Sequence, residues 1–242
     1  VSRRERRRRL RACARRIAIF AKTAGALAGD NCLKEGNTMT MATTTAGRAD
    51  SLHAALGAAG RAVEIPESAD VYGWLVGGWT LDILHYRGID LSASGLKGEV
   101  HFGWVLEGRA VQDVWIMPPR GQRRADGVGA AANAVGAASA VSASDVGSAA
   151  NDMYGMTLRV WTPSIQAWRI TWVNPVSGHR EEQIGRRSGP DIVQLGTRAD
   201  GTLTRWRYTE ITPDSFHWLG EALNSDGETW RLEGEFRGTR IR

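Results

Sequence analysis

Cysteine is almost missing from this chain. Of 242 residues only Cys13 and Cys32 carry a thiol, and both lie among the first 38. The remainder therefore has no disulfide framework and no cysteine-based metal site. No apolar run is long enough to cross a bilayer as a helix. The five histidines are scattered, so a zinc-binding spacing is absent and no metal is expected. There is also no P-loop, no glycine-rich dinucleotide turn, no HExxH and no nucleophile elbow.

A net positive charge is likewise missing from most of the chain, despite a sequence pI of 9.7. Residues 1–38 hold eleven Lys/Arg against three Asp/Glu, a net of +8. The total is +5, which leaves −3 for residues 39–242. A nucleic-acid or anionic-membrane footprint would rest on the head alone, and neither partner is expected for the rest. The head itself has three readings. It is a basic arm, or a secretion signal whose apolar part is short and broken by Lys22, or sequence upstream of a true start near Met39. The last follows because Lys34-Glu35-Gly36 can be encoded with a ribosome-binding sequence. A cytoplasmic location is expected, with secretion through the head as the alternative. With dense charge and little to bury, residues 1–48 are expected to be disordered.

What is present is tryptophan. All ten lie between Trp74 and Trp230, so one aromatic-rich domain over 73–242 is expected. Residues 49–64 read as a short helix ended by Pro66, within a helix-and-linker segment over 49–72. From Trp74 the pattern becomes short strands, about 78–86, 97–106, 109–117, 155–161, 167–173, 180–187, 191–198, 203–210, 214–223 and 228–238. Glu107-Gly108 and Asn224-Ser225-Asp226-Gly227 are hairpin signals between them. Strands at this spacing without helices between them imply an antiparallel sheet that curls or closes. Residues 121–152 are rich in Ala, Gly and Ser, and read as a disordered insertion or a lid.

The Gly77-Gly78-Trp79 step, opening the first of about ten antiparallel strands, resembles the Gly-x-Trp signature of the calycin barrels. That superfamily includes lipocalins, fatty-acid-binding proteins and nitrobindin-like proteins. The segments "GRAVQDVWIMP", "MTLRVWTPSIQAWRITWV" and "GETWRLEGEFRGTR" look similar to an uncharacterised bacterial branch of such barrels. The resemblance spans about 74–240 and implies an all-β, up-and-down barrel with Trp79 at its closed base. It also implies an Arg from the last strand over that ring, with Arg237 as first candidate and Arg240 next. Nitrobindin-like relatives ligate haem through a His near the C-terminal strand. "ETWRLEGEF" has none there, so no haem and no other cofactor is expected.

Side-chain alternation supplies candidate site residues. If the first strand rises from Trp79, His85 shares its face about 20 Å higher, near the open rim. The hairpin at Glu107-Gly108 pairs Trp104 with Val111, Phe102 with Asp113 and Val100 with Trp115. That face should point inward and places Asp113 in a tryptophan-lined lumen. There it is either a structural carboxylate, bonded to backbone or to an Arg, or a general acid or base. The last hairpin puts Glu221 opposite Trp230 and Leu219 opposite Leu232, with His217 on that face. Whether this face or the one bearing Phe216 and Trp218 turns inward stays open. Asp113, His217 and Glu221 are thus the catalytic candidates. His85, Phe102, Trp104, Trp115, Arg159, Trp172, Arg207 and Trp230 are the ligand-binding candidates. Two functions follow: binding of a small, largely apolar or aromatic molecule, or a cofactor-independent isomerase, cyclase or decarboxylase-like enzyme in the same cavity. An oligomerising structural protein, for instance a homodimer, is a third.

Overall fold

Ten of the strands close into a ring. This is a computed structural model, which describes residues 45–122 and 153–242. A helix α1 (Thr45–Leu56) leads into β1 (Gly57–Ala58), β2 (Gly77–Tyr86), β3 (Ile89–Asp90), β4 (Lys97–Val105), β5 (Ala110–Met117) and β6 (Met153–Thr162). Then follow β7 (Ala167–Asn174), β8 (His179–Ser188), β9 (Asp191–Thr197), β10 (Leu203–Thr209), β11 (Ser215–Leu223) and β12 (Trp230–Arg240). From β4 to β12 each strand pairs antiparallel with the next. β12 pairs with β2, and β2 returns to β4, so β2 and β4–β12 form a closed ten-stranded antiparallel barrel. Closure leaves the barrel no free sheet edge. Each of the ten expected strands is present. Residues 1–44 of the basic head and residues 123–152 of the insertion lie outside the described residues, while 45–48, expected to be disordered, belong to α1.

The helix differs from its expected range. It ends at Leu56, and Gly57 and Ala58 leave it to pair with Val105 and Trp104. The reason lies in strand length. β2 covers β4 only as far as the Gly77–Phe102 pair, so the end of β4 would otherwise lack backbone partners on that edge, its other edge being paired with β5. Gly108, in the β4–β5 turn, lets this segment approach. Its φ is +80°, Ala62 donates its N–H to the Gly108 carbonyl at 3.0 Å, and an added Cβ would lie 2.1 Å from the Gly60 carbonyl. The pairing across that turn is as the sequence implies: Val100–Trp115, Phe102–Asp113 and Trp104–Val111.

Residues 62–76 are no mere linker. They carry 3-10 turns at Glu67–Ala69 and Gly73–Leu75, and they cork the lower end of the barrel. Ile65, Ala69, Val71, Tyr72 and Leu75 are buried in the same core as Trp79, Trp104 and Trp168. Two indoles bind the cork: Trp79 donates to the Leu75 carbonyl at 2.7 Å and Trp168 to the Ala69 carbonyl at 2.8 Å. Among the described residues no helix is long and apolar enough to cross a membrane.

Candidate functional site

Trp79 is fully buried at the base, and the guanidinium of Arg240 sits 4.1 Å from its ring centroid. Arg240 also donates to the carbonyls of Val76 at 2.9 Å, Trp74 at 2.5 Å and Pro213 at 2.7 Å. Arg237, the first candidate for this contact, has the opposite strand parity. It pairs with His217 across the sheet and bonds Glu210 at 2.8 Å on the outer face. Arg240 shares the inward parity of Gly238, whose own Cβ position is taken by the Phe216 ring.

Above this base the barrel is hollow. A cavity of about 690 Å³ opens at the end where β2, β7, β9 and β11 finish, a volume suited to a small organic ligand. Its walls include Trp115, Trp172, Trp206, Trp218, Tyr208 and Phe236. Large rings leave this space because they pack over glycines, where no Cβ stands in their way. A Cβ at Gly155 would meet Trp172 at 2.6 Å, and one at Gly220 would meet Trp218 at 2.6 Å. Trp218 also stacks on Phe236, with centroids 5.0 Å apart and planes 10° apart. Such stacking keeps the rings along the wall and out of the lumen.

The floor of the cavity is polar. Asp113 and Arg159 are each 1% exposed and meet at 2.6 Å. Asp113 also accepts the Thr157 backbone N–H at 2.7 Å. Arg159 donates to the Tyr208 hydroxyl at 3.2 Å and lies over the rings of Tyr72 and Phe102, at 5.1 and 5.6 Å. Burial opposes the Arg159 charge, but Asp113 and the two tyrosines hold its pKa above the ordinary arginine value. Burial likewise keeps the phenols of Tyr72 and Tyr208 protonated well above the ordinary tyrosine range, against the pull of Arg159. Asp113 therefore has the partners of a structural carboxylate, backbone and arginine.

At the mouth, Arg198 bridges two carboxylates, Glu181 at 3.3 Å and Glu233 at 2.6 Å. Arg231 binds Glu233 at 3.0 Å, and His179 Nε2 lies 3.1 Å from Glu181. Burial raises the Glu181 carboxyl, but His179, Thr204 and Arg198 outweigh it and hold the group below the usual carboxylate value. No group of three or more His, Cys, Asp or Glu able to hold a metal occurs among the described residues.

Of the residues singled out from sequence, Trp115, Arg159 and Trp172 line the cavity, with Asp113 directly behind Arg159. Phe102 and Trp104 face inward but lie in the solid core nearer the base, 5% and 7% exposed. His85 does not share the face of Trp79. The β2–β12 register shifts between Phe236–Ile83 and Glu235–His85, so Leu84 is an extra residue and every later side chain changes face. Tyr86 lines the cavity in its stead.

The face left open on the last hairpin is also settled. Phe216 and Trp218 point inward, which sends His217 outward to Glu235 at 2.8 Å and Glu210 at 3.3 Å. The expected pairing of Glu221 with Trp230 is off by two residues. The strands first pair at Leu223–Trp230, so the connection spans residues 224–229 and not 224–227, and Glu221 pairs with Leu232. Glu221 lies on the outer surface between Arg205 at 2.8 Å and Arg207 at 3.0 Å, while Trp230 lies under Arg205 at 4.2 Å. Asp113, His217 and Glu221 thus do not converge, and Arg207 and Trp230 are not on the cavity wall. Sequence reasoning passed over Trp206 and Tyr208, although their alternation with Arg205 and Arg207 was the usable signal: aromatic positions inward, cationic ones outward. Glu181, Arg198 and Glu233 carry no local signal, being brought together from β8, the β9–β10 turn and β12.

No protein-family model and no curated protein matches the chain.

Proposed function

We propose that this protein is a calycin-like barrel that binds a small, largely apolar or aromatic molecule in its tryptophan-lined cavity. One observation carries the reading: about 690 Å³ of space bounded by Trp115, Trp172, Trp206 and Trp218, in a barrel whose base is otherwise filled. Flat aromatic walls favour flat apolar ligands through burial of apolar area and ring stacking. The Gly-x-Trp step at 77–79 and the Arg240–Trp79 contact support the calycin-like assignment. The alternative, a cofactor-independent isomerase, cyclase or decarboxylase-like enzyme, has less support. Of its three acid/base candidates only Asp113 lies on the inward face, behind Arg159, where Arg159 and Thr157 occupy it.

Titration of intrinsic tryptophan emission against a small-molecule collection should give saturable quenching. Trp172→Ala should weaken binding of the best hit by about tenfold or more, the scale of losing one large aromatic contact. A collection of aromatic compounds that yields no saturable quenching would sink the proposal.

A further inference from the structure

We infer that the cavity floor selects a ligand bearing a neutral hydrogen-bond acceptor, such as a ketone or amide carbonyl, and rejects a carboxylate. The inference rests on the reading of this cavity as a ligand site. It starts from charge. Arg159 is buried and cationic, which by itself would invite an anion. Asp113 already supplies one at 2.6 Å, so a ligand carboxylate would add a second negative charge to a desolvated site that is balanced without it. Two of the arginines that line the mouth are already engaged by carboxylates. Arg198 and Arg231 are held there by Glu181 and Glu233.

The floor does have hydrogen-bond donors to offer. Arg159 uses one terminal nitrogen on Asp113 and the other on Tyr208, and its buried Nε–H has no protein partner among the described residues. The Tyr208 hydroxyl accepts from Arg159, which leaves its own O–H to donate. Both side chains line the cavity. A neutral oxygen can accept from such groups without disturbing the ion pair, and hydrogen bonds from a cation are among the stronger ones.

The test uses three probes of one shape on the full chain near neutral pH: naphthalene, 2-acetylnaphthalene and 2-naphthoate, followed by tryptophan quenching and calorimetry. The ketone should bind about tenfold tighter than naphthalene, and the carboxylate more weakly than either. Tyr208→Phe should shrink the ratio of ketone affinity to naphthalene affinity toward one, each measured on the variant itself. Asp113→Asn, if it folds, should move the preference toward 2-naphthoate by about tenfold, because Arg159 then lacks its counter-charge. The wild-type and Tyr208→Phe measurements decide the matter without that variant. Tightest binding by 2-naphthoate, or a ketone no better than naphthalene, overturns this inference and leaves the ligand site standing. Failure of all three to bind overturns both.

Discussion

At the base of the barrel Trp79 lies under Arg240 and donates its N–H to the cork, with no space around it. Near the mouth Trp172 and Trp218 lie on glycines and border open space. The residue type is the same, but the neighbours differ. At the base the indole is surrounded by side chains from the cork, β2 and β11, so its area is spent on stability. In the cavity one face of the ring is left to something other than the protein. The contrast teaches that tryptophan count alone says little of function; what stands opposite each ring decides it.

The contrast can be broken most strongly at the base. Trp79→Ala should cost about 3–5 kcal/mol in denaturant unfolding, the range for removing a large aromatic from a filled core. Trp172→Ala should cost clearly less, since the ring is already bordered by a cavity, and should show its effect in ligand affinity. Equal losses of stability for the two variants would dissolve the distinction between the ends.

A smaller effect sharpens it. Gly220→Ala places a methyl 2.6 Å from the Trp218 ring, which must tilt away from the wall into the lumen. Stability should fall by about 1–3 kcal/mol, as for overpacking elsewhere. The cavity should shrink as well, and a ligand identified by quenching should lose affinity beyond what the stability change explains. Unchanged affinity would show that Trp218 does not border the ligand.

The mildest test is acid. Glu181 at the mouth and Glu221 on the outer face both have folded-state pKa values below the usual 4.5. At Glu221 burial opposes the shift, and the hydrogen bonds and charges of Arg205 and Arg207 prevail. A lowered folded pKa means stability that is fully present above about 4.5 and is lost as pH falls through the folded value. The unfolding midpoint should therefore be flat down to roughly pH 5 and decline below it. Glu181→Gln should lower stability at neutral pH and flatten that decline. A decline beginning above pH 6 would assign acid sensitivity to other groups.

Much of the barrel was legible along the chain. Strand positions follow from two-residue alternation and turn residues, and pairing across a short turn follows from counting, so Phe102 opposite Asp113 could be read directly. The same counting failed at His85 and Glu221. One extra residue at Leu84 moves His85 to the other face, and a connection longer than the turn residues imply sets Glu221 opposite Leu232; neither has a signature in residue type. The role of residues 62–76 was also hidden: Ala62, Ile65, Ala69, Tyr72 and Leu75 recur at helical spacing, but Pro66 breaks the run and the segment folds as two short 3-10 turns.

The ten strands, their order and the inward placement of Asp113 and Trp115 can be read along the chain. Those depend on local alternation and on short connections. Only the tertiary structure decided that Arg240 and not Arg237 lies over Trp79, and that Arg159 neutralises Asp113. It also decided that Phe216 and Trp218 face in while His217 and Glu221 face out. Each of these depends on residues 20 or more positions apart meeting across a closed sheet, or on a one-residue shift that moves every later side chain to the other face.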